Sequence, residues 1–439
     1  MRDVILLGIV VAALPFACRH TWIGVLLWTW ISIMNPHKLA WGFAMNMPFA
    51  AMAAGATVIS LFVTKDKVRL PSNPAIVALI LLTLWMVVTT AFAIHPDESW
   101  LDLKRTFKIQ AMTLVALAAL RERRHIEWFI WVNALSLGFY GFKGGLFTIL
   151  TGGGQRVWGP PGGFIEGNNE VGLALVMVIP MMNYLRVVAT QRWLRIAMMV
   201  LMLFTAVAVL GTQSRGAFLA IVAMGAVLWL RSKEKAKAAV IIGLTGLVLT
   251  QFMPASWDER MQTIGSYHQD GSAMGRINAW QMAMHLANDR FLGGGFFIYT
   301  DEIFARYAPV PDDVHAAHSI YFQVLGEHGY VGLILFLLVG LFTFLTARRI
   351  RRQARDREDA GWLYHLAGMM QVSMIGYAVG GAFLSLAYFD LPYNVLVILV
   401  VGERWLNDKD VARQGAGAFG SSAPITAIGR RPRGSRPVA

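Results

Sequence analysis

Two histidines three residues apart follow a pair of aspartates in Asp312-Asp313-Val314-His315-Ala316-Ala317-His318, just ahead of an apolar run. Three readings fit that pattern. Carboxylates beside His-x-x-His suit a metal, but zinc takes three or four ligands and no third is fixed by the spacing. A neutral imidazole accepts a proton near neutral pH, which suits a base at the mouth of a helix bundle. The third reading is a hydrogen-bonded interfacial histidine with no chemistry.

Two arginines widen the choice. Arg215 stands in Thr212-Gln213-Ser214-Arg215-Gly216-Ala217, a very short turn between long apolar runs. A desolvated, unpaired arginine is costly there, so it needs an anion. Glu166, Glu170, a lipid phosphate or a bound ligand would each serve. Arg276 opens the run from Arg276 to His285, whose apolar residues recur at helical spacing. That spacing predicts an amphipathic helix, lying on the membrane surface or capping the bundle. Gly293-Gly294-Gly295 then predicts a loop, without the Lys-Ser/Thr that a nucleotide loop requires. Guanidinium binds oxygens in bidentate fashion and stays charged, so two arginines and a histidine on one face suit a pyrophosphate.

The elements that hold these groups follow from composition. The chain has 439 residues, 56% hydrophobic and 15% charged, against about 25% charged in soluble domains. Disorder and ordinary soluble folds are excluded. The expected fold is all-α, a polytopic membrane bundle of about 12 transmembrane helices with one large outward segment of short helices. Uncharged stretches recur from Leu39–Thr64 to Gly361–Phe389, with a shorter one at Leu391–Gly402. The first 35 residues, interrupted by Arg19 and His20, form either one broken crossing or two short ones, giving 12 or 13. No small-residue cleavage site is evident, so a retained helix is expected. The single cysteine, Cys18, excludes an intrachain disulfide and any multi-cysteine metal site.

Charge sets the orientation. Basic clusters lie at Lys65/Lys67/Arg69, Arg121/Arg123/Arg124, Arg186/Arg192/Arg195, Arg231/Lys233/Lys235/Lys237 and Arg348 through Arg357. Two apolar segments separate each from the next, so all share one side, the cytoplasm, along with both chain ends. The net charge of +13 is thereby explained without nucleic acid. The domains expected are 1–253 (N-terminal helices), 254–318 (outward loop region), 319–405 (C-terminal helices) and 406–439 (a disordered basic tail).

The run from His318 through Tyr321 to Glu327-His328-Gly329-Tyr330-Val331-Gly332 resembles the signature of the bacterial O-antigen ligase and polymerase superfamily. Ser214-Arg215-Gly216 is similar to its Ser-Arg-Gly element. Gly275-Arg276 with Trp280 and Gly293-Gly294-Gly295 resembles its Gly-Arg…Trp…Gly-x-Gly region. Asn168-Asn169-Glu170 resembles its Asn-rich start of a middle helix. The resemblance spans about residues 150 to 346, and the N-terminal third is similar to O-glycosylation ligases found with exosortase systems.

The resemblance implies a ligase in the bacterial inner membrane with its site facing the periplasm. It would move an O-antigen chain from undecaprenyl pyrophosphate to a sugar hydroxyl of lipid A-core, with inversion. His318 would be the general base. Arg215 and Arg276 would bind the pyrophosphate, with Arg156 and Arg290 in reserve, and Tyr321, Glu327 and His315 would support. Glu327 lies nine residues past His318, about 13 Å deeper on a continuous helix, so it cannot orient the imidazole. Tyr321 would share the His318 face at i+3. No Asp-x-Asp motif stands in the outward loops, so no metal or cofactor is expected. A polymerase, a ligase with a protein or exopolysaccharide acceptor, and a lipid-linked oligosaccharide transporter are the alternatives. A transporter would show internal symmetry and charged sites near the bilayer midplane.

Overall fold

A bilayer offers no partner to a bare peptide group, so long uncharged runs fold as helices that bond internally. The computed structural model describes residues 1–64, 68–232, 234–237, 239–240, 243–244, 246 and 271–420, and all regular structure among them is helical. The helices are α1 (Arg2–Arg19), α2 (Thr21–Met34), α3 (Phe49–Val63), α4 (Pro74–Ala91), α5 (Pro96–Ala119), α6 (Arg123–Leu150) and α7 (Asn168–Val188). They continue as α8 (Arg192–Gly211), α9 (Arg215–Arg231), α10 (Gly271–Asp289), α11 (Asp301–Tyr307), α12 (Ile320–Ala354), α13 (Gly361–Gly381) and α14 (Asp390–Gly420). Among the described residues, α4, α7, α8 and α12 are long and apolar enough to cross a membrane by themselves, and α2 and α3 are shorter apolar helices. Most of the expected span Ala238–Trp257, the first part of the outward segment and the end of the basic tail lie outside the described residues. Helix α14 runs on to Gly420, past the onset of the Gly-rich composition.

Helix α7 is buried on nearly every side, as a helix apolar all round should be. Its Pro180 removes one backbone donor. Ser373 of α13 donates to the Met177 carbonyl, 2.7 Å away, in the turn before that proline. Elsewhere, buried amides join helices: Asn394 donates to Asn133 at 2.8 Å.

The bundle has two chemically distinct ends. At one, Glu403 accepts from Asn73 at 2.7 Å and from Arg349 at 2.7 Å, Arg404 reaches the Arg69 carbonyl at 3.0 Å, and Arg231 reaches the Gly368 carbonyl at 3.1 Å. Trp22 stacks on His125 there, with centroids 4.7 Å apart. The described members of the basic clusters around residues 69, 121–124, 231 and 348–357 thus gather at this end. At the other end, Ser32 donates to Asp390 at 2.7 Å, Asn168 to the Thr212 carbonyl at 2.8 Å, and Ile94 to the Gly294 carbonyl at 2.9 Å.

The first 34 residues are two antiparallel helices. Only His20, with an extended backbone (φ −129°, ψ 108°), separates α1 from α2. Asp3 accepts from the Gly42 and Ala44 amides ahead of α3, while Ser60 near the far end of α3 donates to Thr21 at 2.9 Å. Helix α1 therefore runs alongside α3 and α2 runs back. This reversal places Asp3 at the end opposite the basic clusters, so the expectation that both chain ends share the basic side is corrected.

Helix α12 is broken at Gly329, whose φ of 65° and ψ of −171° end one helix and start the next. The break strands carbonyls that a continuous helix would have used. They are met from elsewhere. Gly294 N–H donates to the Gly326 carbonyl and Gly295 N–H to the Glu327 carbonyl, both at 2.9 Å, and Trp85 Nε1 of α4 donates to the His328 carbonyl at 2.8 Å. The chains approach so closely that a Cβ on Gly329 would strike the Phe291 carbonyl. Gly329→Ala is expected to destabilise by about 1–3 kcal/mol, from left-handed strain plus the clash, and to lower the melting temperature in detergent. Gly340→Ala, on the same helix where an added Cβ meets open space, should leave that temperature unchanged or raise it.

Candidate active site

Helix α10 presents the histidine segment. Its buried face, with Ala279, Met282 and Leu286, packs on Ile298, Phe304 and Ala317 of the segment that follows it. Asn278 donates to the carbonyls of Val310 and Asp313, at 2.8 and 3.0 Å, and accepts from the Val310 amide at 2.9 Å. Trp280 Nε1 donates to the Ala317 carbonyl at 2.7 Å and its ring stacks on Phe322. A side chain at 275 would strike the His315 ring, so Gly275 is the residue that fits. The chain from 308 to 319 is thus pinned along α10 and its histidines are held in place.

His318 is not helical. Its φ is 42°, a left-handed backbone between the clamped Ala317 and Ser319, the residue capping α12. Its Nδ1 is buried with no hydrogen-bond partner and sits 3.9 Å from Glu170 Oε1 on the first turn of α7. Arg276 of α10 acts electrostatically on both. Burial, Arg276 and His315 together push the His318 imidazole down to about 4, so it is neutral at pH 7. His315 Nε2 lies 2.8 Å from Asp313 Oδ1.

A second cluster flanks this one. Asn168, two residues before Glu170, ties α7 to the Thr212 carbonyl. Gln213, with φ 53°, makes the tight turn; its amide donates to the Gly153 carbonyl at 3.0 Å and accepts from Arg156 Nε at 3.4 Å. Ser214 caps α9 by accepting from the Ala217 amide at 3.2 Å, which leaves Arg215 as the first helical residue. Glu166, a sequence candidate for pairing with Arg215, accepts from the Gly162 amide at 2.8 Å.

The remaining candidates stand apart. Arg290 braces the glycine loop, donating to the carbonyls of Gly293 and Phe92 at 3.1 and 2.9 Å. Tyr321 donates to the Ala378 carbonyl of α13 at 2.7 Å. Because His318 precedes the helix, the i+3 relation between the two does not arise. Glu327 is buried, accepting from Tyr388 and, at 3.2 Å, from Gln323. The structure thus brings together Glu170, Arg276, His315 and His318. Glu170 as the partner of His318, and Asn278 as the clamp, went unread in the sequence. The Asn-Asn-Glu run was the one local signal for the first, and nothing local marks the second.

Two segments of the chain match known families. Residues 197–337 match the family described as O-antigen ligase, and residues 1–190 match a family of unknown function. No curated protein matches the chain.

The placement of Arg276 makes a pH prediction. His318 should titrate at about 4, as followed by NMR of histidine-labelled protein in micelles and assigned with His318→Asn. Arg276→Gln removes a nearby cation, so the midpoint should move upward. A midpoint that stays put would show that Arg276 does not act on the imidazole.

Proposed function

We propose that this chain, which belongs to the O-antigen ligase superfamily, joins a glycan carried on undecaprenyl pyrophosphate to a sugar hydroxyl of lipid A-core. The observation that carries the proposal is the convergence of Arg276, His318 and Glu170 at the end of the bundle opposite the basic clusters. With the basic end in the cytoplasm, that site faces the periplasm of the inner membrane. Among the described helices, α1–α9 and α12–α14 are read as the crossings, with α1 and α2 counted separately because the chain reverses at His20.

In the proposed step the acceptor hydroxyl gives its proton to a ring nitrogen of His318. Its oxygen attacks the anomeric carbon from the face opposite the phosphate. The carbon–oxygen bond to phosphate breaks, its electron pair leaves with undecaprenyl pyrophosphate, and the anomeric configuration inverts. Arg276 and Arg215 stabilise the charge that develops on the leaving oxygen. Glu170 stabilises the imidazolium, as a carboxylate behind a catalytic histidine does. An imidazole held near 4 is unprotonated but weakly basic. A pyrophosphate bound against Arg276 raises its basicity toward the working pH.

Purified protein with a lipid-linked donor and lipid A-core tests this, with products resolved on a gel. His318→Ala is expected to lower kcat by about 100- to 10,000-fold, and Arg276→Ala by about 100-fold or more. Full activity in His318→Ala would remove the base from the scheme. Products that lengthen on the donor without lipid A-core would assign a polymerase instead. Glu170→Gln should lower kcat with little change in KM for the donor, and a pure KM effect would make Glu170 a binding residue.

A further inference from the structure

We propose that the crevice between α1, the 36–41 turn, α6 and the 156–161 loop seats a phosphate-bearing lipid headgroup, the anchor of the acceptor. This rests on the reading of the protein as a transferase between two lipid-linked substrates. The crevice has two adjoining cavities of about 640 and 270 Å³ that share Leu39, Lys143 and Pro161. Arg2, Lys38 and Lys143 line the first, and Lys143 and Arg156 line the second.

These four cations sit in an otherwise apolar wall. Ile5, Ile9 and Phe139 line it and are exposed, as is Trp41 at 90%. Lys143 lies seven residues before the end of α6, about 10 Å along the axis, exposed among apolar neighbours. A charge on that face is expensive in hydrocarbon unless it meets an anion. The nearby carboxylates are already engaged: Asp3 holds the Gly42 and Ala44 amides, and Glu166 holds the Gly162 amide. Among the described residues, Arg2, Lys38, Lys143 and Arg156 form no ion pair.

The chemistry selects an occupant with phosphate above and acyl chains below. A soluble anion has no use for the exposed apolar wall, and a neutral lipid has none for the cations. The crevice lies beside the turn before α9, because Arg156 on its wall bonds Gln213, two residues before Arg215.

The test uses the full chain in nanodiscs of zwitterionic lipid. Fluorescently labelled diphosphoryl lipid A is the first probe, and a prenyl pyrophosphate is the second. Wild type should bind lipid A saturably, and its dephosphorylated form at least tenfold more weakly. Lys38→Glu/Lys143→Glu should weaken lipid A binding at least tenfold and leave prenyl pyrophosphate binding unchanged, which also shows that the variant is folded. Equal affinity of wild type and variant for lipid A would overturn the proposal. So would equal affinity for the dephosphorylated form. Loss of prenyl pyrophosphate binding in the variant would overturn it too, giving the crevice to the donor. Wild type that binds lipid A as expected but transfers no glycan would support the crevice while defeating the transferase reading.

Discussion

Every peptide group inside a membrane domain needs a partner, and the break at Gly329 is where this chain meets that demand from outside the broken helix. The Gly326, Glu327 and His328 carbonyls are answered by the Gly294 and Gly295 amides and the Trp85 indole. One constraint therefore joins three separate pieces: α12, α4 and the loop behind α10. That loop fixes the C-terminal end of α10, and α10 holds the histidine segment through Asn278 and Trp280. The place of His318 is thus set by backbone satisfaction some ten residues away along α12.

The electrostatics of the site follow from that placement. His318 is neutral because it is half withdrawn from water and lies near two other potential cations, Arg276 and His315. The same cations are what an anionic donor would neutralise. An anion bound there would therefore raise the affinity of the imidazole for a proton. The Asp313 carboxylate keeps His315 engaged, which leaves His318 as the ring directed at Glu170.

Much of this could be read from the residues, and the failures have physical causes. Uncharged runs marked the helices, and the described basic residues around 69, 121–124, 231 and 348–357 do share one end of the bundle. The break in α12 is not legible because a glycine after Glu327-His328 can sit inside a continuous helix as readily as at a kink, and the sequence reading took the helix as continuous. The His20 reversal stayed ambiguous because one residue can kink a helix or turn it, and only the contacts of Asp3 and Thr21 separate the two. Tyr321 was paired with His318 on the assumption of a helix that starts two residues later. Glu170 went unnoticed as a partner because 148 residues separate it from His318, and no periodicity spans such a gap.

The two family matches divide the chain between α7 and α8, and the contact between Glu170 and His318 straddles that division. Arginines 215 and 276 and both histidines come from the C-terminal match, while the carboxylate and the cationic crevice come from the N-terminal one. The halves are therefore unequal partners in inheritance. A chimera that exchanged residues 1–190 would keep His318, Arg215 and Arg276, yet would import both the carboxylate beside His318 and the cationic crevice. On the reading proposed above, choice of acceptor would then travel with the first half of the chain and the transfer chemistry with the second.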